Sequence, residues 1–80
     1  KRLIRDNIIV NGIAPGAFSS DMNITARDEP DRVAAVIPAQ RIGRPDDIAG
    51  TAVYMCSRAG DYLVGTTIAV DGGLVYARTD

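Results

Sequence analysis

The sequence has 80 residues, 46% of them hydrophobic, with 9 basic and 10 acidic side chains and a net charge of -1. An ordinary globular apolar content excludes wholesale disorder, the balanced charge excludes a basic nucleic-acid footprint, and no apolar run reaches the ~18–20 residues of a membrane-spanning helix. One cysteine and no histidine leave no internal disulfide, no expected metal site and no histidine base. Chains below about 70–80 residues normally need staples such as disulfides, metals or oligomerisation, and this one has neither of the first two. It begins at Lys1 rather than Met and carries no signal-peptide pattern, so the expectation is a processed start or a piece of something longer.

The charged segment Lys1–Asp6 reads as the last turn of a helix, with cations suited to the C-terminal dipole and Asn7 as its stop. Ile8–Ala14 is rich in β-branched residues and ends at Pro15-Gly16, which predicts a strand buried on both faces, as in a parallel sheet. Within it Asn11 needs a hydrogen-bond partner and is expected to tie strand to loop. Ser20-Asp21 caps a short helix over Met22–Arg27. Glu29-Pro30-Asp31 opens a second over Arg32–Ile37, ended by Pro38. Two short helices in an otherwise irregular stretch predict a mobile flap.

Arg41–Ile48 is a loop entering a helix, with Pro45 at the first helical position and Asp46 and Asp47 suiting the positive end of the dipole. Arg41 and Arg44 read as solvated loop charges. The helix is expected to reach Ser57 or Arg58, with apolar positions 48, 49, 52, 53, 55 and 56 forming a broad stripe. Cys56 lies on that stripe and reads as a small buried hydrophobe. Gly60-Asp61 marks a turn, Gly65–Val70 a second strand, and Asp71-Gly72-Gly73 its stop. The tail Leu74–Asp80 is left unassigned.

A long helix-bearing crossover between two buried strands follows the logic of a parallel βαβ unit. Two parallel strands cannot cover their own faces, so the pattern specifies the edge of a larger α/β domain. Chemically reactive groups are few, and neither a G-x-G-x-x-G nor a G-x-S-x-G motif is present. The most promising segment is Pro15-Gly16-Ala17-Phe18-Ser19-Ser20. It follows the C-terminal end of a predicted parallel strand, where ligands of open α/β sheets bind. Its backbone groups and two hydroxyls suit a carboxamide, which needs a donor and an acceptor at fixed separation; an ordinary strand-to-helix turn is the alternative.

Five motifs in order then resemble the short-chain dehydrogenase/reductase family, with the wording nearest the 3-oxoacyl-carrier-protein reductases. Asn11–Gly16 resembles its N-x-x-x-P-G strand end, and Ser20-Asp21-Met22 the T-x-M that follows. Arg41–Ala49 resembles its R-x-G-x-P-x-D/E-I/V-A helix entry, Val53–Ser57 its V-x-F-L-x-S, and Gly65–Gly73 its G-x-x-I-x-V-D-G-G. The resemblance implies an α/β chain, the C-terminal part of a Rossmann-type doubly wound parallel sheet with two strands, a lid of short helices and one long helix. Residues 1–80 would be one such portion with no internal boundary.

It further implies an oxidoreductase using NAD or NADP on a small-molecule carbonyl or alcohol. The loop Pro15-Gly16-Ala17 would close over the nicotinamide. The Phe18 backbone would pair with the carboxamide, and the Ser20 hydroxyl with the carboxamide or a phosphate. Residues 21–37, Met22 included, would form the substrate lid. The helix from about 46 to 58 and the last strand would build a homodimer or homotetramer interface, in a soluble cytoplasmic enzyme without nucleic-acid or membrane partners.

The family's T-G-x-x-x-G-x-G phosphate loop, its catalytic Ser and its Y-x-x-x-K pair have no counterpart here. None of Tyr54, Tyr62 and Tyr76 has a lysine four residues on, and Lys1 is the sole lysine. No catalytic residue is therefore assigned, and the isolated 80 residues are expected to be inactive. The alternative is a stand-alone interaction module or an inactive remnant.

Overall fold

The computed structural model describes residues 1–77. The chain opens with a 3-10 turn, Leu3–Asp6, which Asn7 ends in a left-handed conformation (φ 61°), its N–H returning to the carbonyls of Ile4 and Leu3. Asparagine is among the few residues that adopt this conformation readily, so the expected stop holds. Strand β1 spans Gly12–Pro15 and strand β2 Thr67–Val70. They pair in parallel, with Gly12 opposite Thr67 and Pro15 opposite Val70. Three helices lie in the crossover: α1 Ile24–Asp28, α2 Pro30–Ala34 and α3 Pro45–Cys56. The parallel unit read from the sequence is therefore present.

Both strands are shorter than the expected 8–14 and 65–70. A strand exists where a ladder partner exists, and β2 supplies one only from Thr67. Before that, the two segments are joined by two backbone bonds, Gly65 N–H to the Val10 carbonyl at 3.0 Å and Gly12 N–H to the Thr66 carbonyl at 2.8 Å. The expected burial of the first strand on both faces is also absent. Ile8, Ile9 and Val10, just before β1, are exposed at 47%, 39% and 56%, because among the described residues the sheet has two strands and β2 lies along one edge of β1.

Asn11 does what its position requires. Its Nδ2 donates to the Leu63 carbonyl at 2.9 Å, and its Oδ1 accepts from the Thr66 N–H at 3.0 Å.

The flap helices are displaced from their expected limits. Ser20 does not cap α1. Asn23 does, its Oδ1 accepting the Ala26 N–H at 3.1 Å, while the Ser20 Oγ accepts the Asn23 N–H at 3.1 Å. Ser20 thus forms a turn one step earlier, and α1 starts at Ile24 instead of Met22. Pro30 occupies the first turn of α2 as expected, but that helix ends at Ala34, well short of Ile37. Residues 35–40 turn instead, bringing the Ala39 N–H to the Gly72 carbonyl at 2.9 Å.

Helix α3 begins at Pro45 as expected and ends at Cys56, a residue or two early; Ser57 is its cap, followed by a 3-10 turn at Arg58–Gly60. Its apolar stripe splits in two. Ile48, Ala52 and Met55 are half-buried, whereas Ala49, Val53 and Cys56 are exposed, with Val53 at 69%. Cys56 is therefore exposed, against expectation, because it sits on the uncovered ridge.

Among the described residues, only Ala26 and Ile37 are buried hydrophobic residues. The radius of gyration is 14.9 Å, against about 12 Å for a compact 80-residue domain. The accessible surface is 6209 Å², against about 4,700 Å² for a compact chain of this mass. The tail turns at residues 72–77, with Leu74 half-buried and Val75 and Tyr76 exposed; the rest of the unassigned tail, 78–80, lies outside the described residues.

Candidate functional site

The C-terminal ends of β1 and β2 open onto a cavity of about 470 Å³. Its walls come from three places: Ala17 and Phe18 after β1, Val70 at the end of β2 with Asp71–Gly73 after it, and the return from the flap into α3, including Ile37, Arg41, Gly43 and Asp47. Parallel pairing puts both strand ends on one side, so the loops that follow must converge there.

The loop after β1 is held by two backbone bonds. The Gly16 N–H donates to the Val70 carbonyl at 2.9 Å, and the Ala17 carbonyl accepts from the Gly43 N–H at 2.8 Å. Phe18 bridges to Gly43, and its ring lies where a side chain on Gly43 would stand: a Cβ there would be 2.1 Å from Phe18 Cε1. Only glycine admits that approach. These anchors leave Phe18 half-buried with its own N–H and C=O taking no internal hydrogen bond among the described residues. One residue thus offers a donor and an acceptor at fixed separation, the set a carboxamide needs.

Of the loop residues singled out in the sequence, Ala17 and Phe18 line the cavity. Pro15 is the exposed last residue of β1, and Gly16 is half-buried against Asp71. Ser20 and Met22 lie on the approach to α1, outside the cavity wall. Ser20 is exposed, its Oγ accepting from Asn23 and its hydroxyl proton still available, and Met22 is 98% exposed. Among the described residues no cluster of side chains could hold a metal ion.

Sequence reasoning missed the cavity's charged pair. Arg41 is exposed, as expected of a loop charge, but it is also paired. It donates to both Asp47 oxygens, at 2.8 and 3.2 Å, and to the Ile42 carbonyl at 3.1 Å. The Asp47 Oδ2 also accepts the Arg44 N–H at 2.7 Å, closing the first turn of α3. The Arg41 bonds first and the Arg44 N–H second hold the Asp47 carboxyl down at about 2. Arg41 is held above the ordinary guanidinium value by the same hydrogen bonds. Asp71 was read only as a strand stop, yet its carboxylate accepts the N–H groups of Gly73 and Val75 at 3.0 and 3.2 Å, fixing the turn that forms the far wall. A carboxylate just before a glycine pair is the signal that could have found it.

Known proteins resemble this chain in sequence and in fold. The family profile described as enoyl-(acyl carrier protein) reductase matches residues 1–75. A 2-dehydro-3-deoxy-D-gluconate 5-dehydrogenase of Bacillus subtilis is 49% identical over 69 residues, covering 82% of this chain and 27% of the relative. A rhamnolipids biosynthesis 3-oxoacyl-[acyl-carrier-protein] reductase of Pseudomonas aeruginosa is 40% identical over 76 residues, covering 91% and 30%. Among solved structures, the Pseudomonas aeruginosa RhlG/NADP active-site complex superposes with a TM-score of 0.81 at 38% identity, covering 91% of this chain and 31% of that one. A blue fluorescent protein from a metagenomic library, in complex with NADPH, gives 0.76 at 32% identity, covering 92% and 32%. The chain spans between 27% and 30% of the length of the curated relatives it matches.

Proposed function

The chain belongs to the short-chain dehydrogenase/reductase family, and on that premise we propose that it serves as the nicotinamide-side portion of an NAD(P)-dependent oxidoreductase acting on a carbonyl or secondary alcohol. The observation that carries this is Phe18: a half-buried residue at the strand end, its backbone donor and acceptor both free, facing a cavity at the carboxyl edge of a parallel sheet. Relatives solved with NADP and NADPH support the cofactor class.

In this reading the chain's residues bind and orient. Phe18 N–H and C=O take the carboxamide, so the ring cannot rotate about its glycosidic bond. The Ser20 hydroxyl, still holding a free proton, donates to the carboxamide oxygen or a phosphate. Pro15, Gly16 and Ala17 supply a wall without side-chain bulk over the ring face. Residues 21–37, with the exposed Met22, form the lid that excludes water from the substrate. The cofactor, when bound, supplies or accepts the hydride. The proton partner is not among the residues assigned here, since no Tyr in the sequence stands four before a Lys. The uncovered ridge Ala49-Val53-Cys56 of α3 and the last strand fit contact with a second copy of the chain in a homodimer or homotetramer.

The test is a pair of measurements. The full-length polypeptide carrying these residues is expected to quench or shift NADPH or NADH fluorescence on binding and to oxidise it with a ketone substrate. The 80-residue chain alone is expected to do neither. Turnover by the isolated chain, or no cofactor binding by the full-length polypeptide, overturns the reading. In the second outcome, the exposed ridge of α3 would favour a non-catalytic interaction module.

A further inference from the structure

We infer that the Asp71-Gly72-Gly73 turn is a latch for the returning end of segment 21–37, which makes Gly72 a positioning residue for whatever that segment covers. The inference rests on the proposed reading of 21–37 as a substrate lid only for its functional consequence; the latch itself is geometric. Most of the segment is uncovered: Met22, Ile24 and Val36 are exposed at 98%, 56% and 64%. Ala26, at 0%, and Ile37, at 3%, are the exceptions, and Ile37 stands at the returning end. It is covered where it meets Gly72, whose backbone is left-handed (φ +67°); a Cβ there would lie 2.7 Å from Ile37 Cγ2 and 3.1 Å from Ala39 Cβ. The Gly72 carbonyl accepts the Ala39 N–H at 2.9 Å. One bare backbone position therefore receives both a side chain and a hydrogen bond from the end of the flap.

The same turn touches the loop after β1 on its other flank. A Cβ on Gly16 would stand 2.7 Å from Asp71 Cα, and the Gly16 N–H bonds to Val70, the residue before the turn. Asp71 stiffens the turn from within through Gly73 and Val75. The turn is thus a post between the loop that carries Phe18 and the end of the flap. A methyl at position 72 evicts Ile37 while leaving the Gly16 and Asp71 bonds in place, so the flap loosens and the loop does not.

Limited trypsin digestion of the full-length polypeptide tests this. Cleavage is followed at Arg27 and Arg32, inside the segment, relative to Arg58, outside it. Gly72→Ala and Ile37→Ala are each expected to raise that ratio about fivefold or more, as local opening becomes easier. The double variant should exceed neither single one, since both remove the same contact. Gly65→Ala is the control for backbone strain: Gly65 is also left-handed (φ +70°) but has nothing within 4 Å, and its ratio should stay at the wild-type value. In active protein, Gly72→Ala should raise the substrate KM severalfold. A wild-type ratio in both single variants, additive effects in the double, or an equal effect from Gly65→Ala overturns the latch. The digestion needs no activity, so wild-type protein that binds no NADPH sinks the proposed function and leaves the latch to be judged by cleavage.

Discussion

Asn11→Ala is expected to destabilise the fold more than its small change in volume suggests. The side chain spans 52 residues to the Leu63 carbonyl and 55 to the Thr66 N–H, and both bonds are partly buried. They stand where the parallel ladder has not yet begun, since the first register pair is Gly12 with Thr67. At about 0.5–1.5 kcal/mol per hydrogen bond, losing both costs about 1–3 kcal/mol, towards the upper end because a half-buried N–H is left unsatisfied. Asn11→Asp sharpens the test. It has nearly the same shape and keeps an acceptor for Thr66, but puts a carboxylate oxygen against the Leu63 carbonyl. Urea unfolding of the full-length polypeptide at pH 7, followed by circular dichroism with the slope held constant, reads both variants. If Asn11 only fills space, Asn11→Asp stays within about 0.5 kcal/mol of wild type, the range of harmless surface changes, and the reasoning fails.

The remaining predictions concern cofactor, acid and assembly. Ser20→Ala should weaken NADPH or NADH binding by about 1–2 kcal/mol, the scale of one partly buried hydrogen bond to a polar ligand group; unchanged titrations with both cofactors take Ser20 out of the site. Asp47 has a carboxyl lowered from 3.8 to about 2 in the folded chain. Its contribution to stability is therefore complete above the unfolded value near 3.8 and lost as pH falls through about 2. Asp47→Asn should make acid unfolding less steep between those pH values, and an unaltered acid limb in a pH-stepped unfolding series would contradict the Arg41 pairing. Val53→Asp should lower the oligomeric state seen in sedimentation while leaving the monomer folded; an unchanged sedimentation coefficient denies the ridge on α3 its interface.

The parts of the fold legible in the sequence are those that neighbouring residues decide. Asn7 ends a turn because it tolerates a positive φ, and Pro45 opens α3 because the first helical position needs no N–H. Asn11 needed a partner and has two. The parts that were misplaced depend on choices between equals or on distant partners. Ser20 and Asn23 are both competent caps; the structure uses one to hold the other, and the helix starts after the second. Strand ends follow the partner's length, which hydrophobicity does not encode. Arg41 and Asp47 are six residues apart, a spacing that no helix or strand period brings together; the loop running into α3 does. Within the site, the loop and its available backbone groups were legible from the strand end, but the anchors at Gly16 and Ala17 were not, because they depend on the distant Val70 and Gly43.

Cys56 shows why burial was the hardest quantity to read. Periodicity on α3 marks six apolar positions, and the described chain covers only the ridge through Ile48, Ala52 and Met55. Ile8, Ile9 and Val10 repeat the mismatch just before β1, where residues suited to a two-sided sheet are left exposed. In both places the sequence encodes more contact than the described residues provide, and the excess surface, 6209 Å² against about 4,700 Å² for a compact chain, has the same sign. The two uncovered regions differ in kind. The strand-side residues adjoin unpaired backbone of β1, whose N–H and C=O groups ask for another strand. The α3 ridge belongs to a helix whose own hydrogen bonds are complete, so packing alone would satisfy it. A strand would suit the first and a flat apolar surface the second, which is why the proposed reading gives the α3 ridge to a second copy of the chain.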